Sequence, residues 1–178
     1  MQHPLEFVSV LYRKRLFFQF LFLTIILFAV FQALDKPLRT SAAPNGVVSF
    51  ELARTPDQAD AMVSSWSQEG KFNAAFGLGI DYLFMPAYAF ALAFGTLLAA
   101  GRHSGWLKPL GAVAGYGVFV AALFDAVENF ALYQVLLGTA QSSYPAIAAI
   151  CATIKFGLLI FGLVYAFAAW LLPRQTQK

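Results

Sequence analysis

Residues 123–132 read LFDAVENFAL, and the segment around them, from Leu110 to Leu137, is otherwise almost wholly apolar. Asp125, Glu128 and Asn129 stand at i, i+3 and i+4, so a helix puts all three on one face. Small residues continue that face: Ala122, Val118, Gly115 and Gly111. Gly111 and Gly115 form a GxxxG spacing, which lets helix backbones approach closely. The polar cluster therefore points into a helix interface and away from lipid.

Composition supports a membrane setting. Of 178 residues, 60% are hydrophobic and only 12% are charged, against about 45–50% and about 25% in soluble domains. So few charges cannot cover a water-exposed surface, and the apolar excess must face lipid. The chain reads as an integral membrane protein of one domain, residues 1–178, with the lipid bilayer as its first partner. The net charge of +3 comes from residues placed as membrane topology places them, and implies no nucleic-acid partner. Cys151 is alone, so no intramolecular disulfide forms. No Cys/His pattern suggests a metal site, and no cofactor motif is present. Cys151 reads as a small buried hydrophobe.

Four apolar runs, about 16–34, 75–100, 109–137 and 145–172, reach or approach the roughly 20 residues that cross a bilayer as a helix. The ten-residue alternation of a barrel is missing, so helices must satisfy the backbone. The first run follows Arg13, Lys14 and Arg15 as a signal peptide would, but it exceeds the 7–15-residue core of one and is expected to stay as an anchor. Lys and Arg near the span ends set orientation. One side holds Arg13, Lys14, Arg15, Arg102, Lys108, Arg174 and Lys178. The other holds Lys36, Arg39, Arg54 and Lys71, diluted by Asp35, Glu51, Asp57, Asp60 and Glu69. Both termini are expected in the cytoplasm of a multi-pass cell-membrane protein, in the inner membrane if the source is bacterial. The 35–74 loop then faces outward.

Within that loop, VVSFELA suggests a short extended piece. TPDQADAMVSSWSQEG announces a helix with Thr55 as N-cap, Pro56 in the first turn and Gln58 at capping-box spacing. Gly70 supplies a left-handed stop. Ala59, Met62, Val63 and Trp66 form one stripe, which predicts an amphipathic helix lying at the membrane surface or lidding the bundle. The expected fold is all-α: an up-down membrane four-helix bundle with this short extracytoplasmic helix between the first two spans.

Other spans answer the opening cluster. The second carries Asp81 and the fourth Lys155. At about 1.5 Å per residue, Asp81, Glu128, Lys155 and Asp125 fall roughly 12, 15, 18 and 20 Å deep. A charge at mid-membrane costs about 2.5–3.5 kcal/mol, so four unpaired ones are not tolerable. Three carboxyls against one lysine leave a formal excess of two negative charges. The sequence predicts that Lys155 pairs with Asp125 or Glu128, and that a remaining carboxyl holds a proton or the site binds a cation. Tyr88 shares a face with Asp81, with Tyr82, Tyr116 and Tyr133 near in depth or register. Pro86 is expected to kink the second helix and free a carbonyl. His103 reads as solvated in a short turn, and His3 as part of a mobile terminus. The bland alternative makes the quartet interhelical glue.

The pieces APNGVVSFELA, LGIDYLF and FDAVEN resemble phrases recurring in uncharacterised small bacterial four-helix integral membrane proteins, a resemblance that brings no activity with it. More loosely, the chain resembles the four-helix sterol-isomerase and sigma-2-receptor group, which also places carboxylates inside a bundle. Three functions stay open. One is a protein that binds or relays a proton, a cation or a small lipophilic ligand through Asp81, Asp125, Glu128, Asn129, Lys155 and Tyr88. The second is an accessory subunit of a membrane complex, with a membrane-protein partner or a second copy of itself. The third is an intramembrane enzyme using a carboxyl as acid/base; no nucleotide loop, nucleophile elbow or HExxH supports catalysis directly.

Overall fold

A computed structural model describes residues 1–139 and 142–174 of the chain. Lys178 and residues 140 and 141 of the last connection lie outside the described residues. Six α-helices follow in order: α1 (Val10–Asp35), α2 (Val47–Glu51), α3 (Pro56–Ser65), α4 (Gln68–Ala100), α5 (Leu107–Gln134) and α6 (Tyr144–Leu171). A 3-10 turn, Lys36–Leu38, ends α1, and a π turn, Val135–Thr139, ends α5. No strand occurs among the described residues. The four long helices, of 26, 33, 28 and 28 residues, are long and apolar enough to cross a membrane.

The chain divides into two compact units. A loop unit comprises Ile26–Met85 and Leu123–Ile154; a terminal unit comprises Met1–Ile25, Pro86–Ala122 and Lys155–Lys178.

In the loop unit, the segment between α1 and α4 builds its own apolar centre. Leu38, Phe50, Ala59 and Trp66 are buried together with Leu78 of α4, Leu132 of α5 and Ala148 of α6. Met62 and Val63 pack against them, so the stripe of α3 faces protein. Trp66 is 4% exposed, donates its indole N–H to the Leu38 carbonyl at 2.9 Å and meets Phe50 edge-on at 5.1 Å. It is a core residue and not a membrane-surface anchor, because a buried indole must satisfy its N–H and the 3-10 turn offers the acceptor.

Capping explains where the loop departs from expectation. Thr55 caps α3 as its spacing predicts, its hydroxyl accepting from the Gln58 N–H at 3.3 Å. The Gln58 side chain accepts from the Arg54 N–H at 3.0 Å, one residue before the usual capping-box donor. VVSFELA is not extended. Asp35 accepts from the Val47 N–H at 2.7 Å, which starts α2 and turns Phe50 inward. Gly70 is not a stop either; it lies within α4. Ser67 accepts from the Gly70 N–H at 3.2 Å, so a new N-cap launches α4 right after α3 ends. A Cβ on Gly70 would sit 3.3 Å from the Pro37 carbonyl oxygen, and glycine serves that close approach. α4 also runs unbroken through Pro86.

In the terminal unit, Leu5, Phe94 and Leu97 form a core with Phe17, Phe20 and Phe90 around them. A second cluster joins Ala99, Ala100, Ala114, Tyr165 and Ala169. The GxxxG pair of α5 is used in two ways. At Gly111 a Cβ would fall 2.6 Å from that of Ala100, a close approach of α4 and α5. At Gly115 it would strike the His3 ring, so that gap admits a side chain from the N-terminal segment.

The remaining surface is oily. α1 buries only Leu27 and Asp35, while Leu11 and Leu171 are each 86% exposed, with Phe22, Leu123 and Phe167 exposed as well. Apolar patches on this scale are foreign to soluble monomers and suit lipid.

Gly46 has φ +57°, and a Cβ there would collide with the Asp35 carboxylate; Gly105 has φ +65° but open space around it. Gly46→Ala is therefore expected to destabilise the loop by more than the roughly 1 kcal/mol of left-handed strain that Gly105→Ala pays. Thermal melts of the two variants in detergent compare them directly.

Candidate functional site

The polar face of α5 is buried: Asp125 is 2%, Glu128 0% and Asn129 1% exposed. Helical spacing alone brings these three together. The partner comes from α4. The Asn129 carboxamide nitrogen donates to Asp81 Oδ2 at 2.8 Å and to the Leu78 carbonyl at 3.2 Å. Both its hydrogens are thus directed at α4, one at a side chain and one at the backbone. In return, the Tyr82 hydroxyl of α4 donates to the Ala126 carbonyl of α5 at 3.2 Å. The two helices exchange polar contacts within one turn of each. These groups sit in helices long and apolar enough to cross a membrane, and Asn129 is itself buried at 1% exposure, so it must find its acceptors within the protein.

Of the six residues assigned to the site from sequence, the structure joins Asp81 to Asn129 directly and keeps Asp125 and Glu128 buried on the Asn129 face. Tyr88 and Lys155 belong to the terminal unit, where each is buried, at 7% and 4% exposure. The Lys155 ammonium lies 4.7 Å from the centre of the Phe156 ring and does not extend to the protein surface. Tyr82 borders the site through its bond to the Ala126 carbonyl. Tyr82, Tyr116 and Tyr133 are 51%, 45% and 46% exposed, since their positions fall on the apolar faces of α4 and α5.

Chemically, Asn129 is a donor that holds one Asp81 oxygen in place. Among the described residues, no three carboxylate, imidazole or thiol groups converge closely enough to hold a metal ion.

Two histidines depart from expectation. His103 is not solvated; it is 4% exposed, and its Nε2 lies 2.6 Å from the Ala169 carbonyl, which anchors the α4–α5 turn on α6. Neighbouring Arg102 stacks on the Trp170 ring at 4.6 Å. His3 is not in a mobile tail. It is 6% exposed, and its Nδ1 accepts from the Leu5 N–H at 3.2 Å. The other nitrogen, Nε2, must then carry the proton that it shares with Thr96 Oγ1 at 3.1 Å. Thr96 passes its own hydroxyl proton to the Ala93 carbonyl at 2.9 Å. Arg13 secures the segment from outside, donating to the Glu6 and Val8 carbonyls at 2.7 and 2.8 Å. The only sequence trace of this docking is Gly115, a gap on α5 with no marked occupant.

Compared with protein-family models, curated proteins and solved structures, the chain has no match.

Two outcomes follow from this geometry. Asn129→Ala should cost about 1 kcal/mol, in the range of measured interhelical hydrogen bonds in membranes. Asn129→Asp should cost more at neutral pH and recover as pH falls, because two carboxyls that close can share one proton but cannot both ionise. Melting in detergent across pH reads both.

Burial lowers the His3 pKa from 6.5 to about 4; Glu6 opposes the shift and Arg13 adds to it. A released N-terminal segment binds its proton at the ordinary value, so docking is fully favourable above about pH 6.5 and weakens as pH falls toward about 4. The protection of the residue 3–8 amides, measured against their intrinsic exchange rate at each pH, should fall over that window, and His3→Gln should flatten the dependence.

Proposed function

We propose that this chain is a multi-pass integral membrane protein, both termini in the cytoplasm and residues 36–67 outside, that binds or relays a proton or a small cationic or lipophilic ligand at Asp81, Asn129, Asp125 and Glu128. The observation that carries the reading is Asn129 holding Asp81 at 2.8 Å beside two further carboxyls that are at most 2% exposed. Burying so many acids merely to join helices is a poor return, because interhelical hydrogen bonds average only about 0.6 kcal/mol. A carboxyl in such a place exchanges a proton or meets a cation when it works. A second acid within a helical turn supplies the next station for a proton, or the second contact for an ammonium group.

pH-titrated infrared difference spectra of the protein in liposomes test this by reading protonated carboxyls directly. A titrating carboxyl band should be present in the native protein and should lose a component in each of Asp81→Asn, Asp125→Asn and Glu128→Gln, with Asp81→Asn still melting within about 1 kcal/mol of the native protein. Binding of tetraphenylphosphonium, a lipophilic cation, provides the ligand arm. If all three variants unfold, the acids are structural and the accessory-subunit reading prevails. If all three fold with an unchanged band and unchanged cation binding, the site reading is abandoned.

A further inference from the structure

Outside the Asp81–Asn129 centre, a groove of about 420 Å³ runs along α6, lined by Ala146, Ala149, Ile150, Thr153 and Ile154 together with Arg54 from the loop. The five α6 positions follow i, i+3, i+4, i+7, i+8 spacing, so they form one continuous stripe. The stripe is open, with Ile150 60% and Ile154 37% exposed. Its one polar residue, Thr153, offers an occupant no donor, because its hydroxyl proton goes to the Ala149 carbonyl at 2.7 Å. From Ala146 to Ile154 the stripe is about 12 Å long, most of the roughly 15 Å of one leaflet's hydrocarbon.

Arg54 gives the groove its character. Its backbone N–H is held by Gln58, which fixes where the side chain leaves the loop. The guanidinium has no ion pair and no hydrogen bond among the described residues. In the same loop Arg39, by contrast, is paired with Asp35 at 2.8 Å. A cation joined to an apolar trough matches a molecule with an anionic oxygen head and a hydrocarbon tail, and guanidinium suits phosphate through paired N–H donors.

We propose that this groove binds one anionic phospholipid, with its phosphate on Arg54 and an acyl chain along Ala146, Ile150 and Ile154. The site is independent of the proton or ligand centre, shares none of its residues, and draws its occupant from the leaflet on the loop side. Such a lipid fastens the loop to α6 from outside.

Native mass spectrometry of the detergent-purified full chain, titrated with dioleoyl phosphatidylglycerol, measures this. One lipid should stay bound to the native protein. Arg54→Gln and Ala146→Trp each should weaken that lipid about tenfold, or about 1.4 kcal/mol. Both positions are exposed, so both variants should melt as the native protein does. Dioleoylglycerol, which lacks the phosphate, should bind as weakly to the native protein as phosphatidylglycerol does to Arg54→Gln. Excess inorganic phosphate should leave the bound lipid in place. Native-level lipid binding in both variants overturns the proposal. So does displacement of the lipid by inorganic phosphate with Ala146→Trp unaffected, which marks a site for free phosphate.

Discussion

A buried polar side chain on a long apolar helix must find its partner on another helix, and much of this structure follows from that constraint. Asn129 finds two, the Asp81 carboxylate and the Leu78 carbonyl, and Tyr82 returns a bond to the Ala126 carbonyl. None of these is strong. Their value lies in geometry: a slip of α5 along α4, or a rotation of either, loses all three at once. The weak bonds therefore select one register from the many that apolar packing alone tolerates. They also hold the carboxyl that the proposed function needs.

The loop is organised by a similar economy at the other extreme of polarity. Asp35 ends α1, pairs with Arg39 at 2.8 Å and accepts from the Val47 N–H, so a single carboxylate terminates one helix and begins another. Gly46 must lack a side chain because that carboxylate occupies the space. Around it Phe50 and Trp66 close an apolar centre that is continuous with the ends of α4, α5 and α6 within the same unit. The loop is thus a built structure that extends the helices, and Arg54 is presented from it at a fixed point.

What could be read from the sequence divides along physical lines. The four long helices were legible because a run of some twenty apolar residues has few alternatives, and the shared face of Asp125, Glu128 and Asn129 because helical periodicity fixes it. Asp81 was legible as a polar residue in a span; that Asn129 is what it meets depends on the rotation of α4, which no local pattern records. Gly70 is no stop because Ser67, three residues earlier, caps a new helix, and VVSFE is helical because Asp35, twelve residues upstream, holds its first N–H. His3 was beyond reach: its docking rests on Thr96 and Gly115, nearly a hundred residues away, with only the missing side chain at Gly115 as a hint.

The tryptophans divide the molecule in a useful way. Trp66 is 4% exposed in the loop unit, whereas Trp106 and Trp170 of the terminal unit are 72% and 56% exposed. Intrinsic fluorescence therefore contains two populations, one shielded from a dissolved quencher and one open to its surroundings, with the emission of Trp170 further marked by the guanidinium stacked on its ring. The unlabelled protein carries its own optical reporter of whether the segment between the first two long helices stays closed.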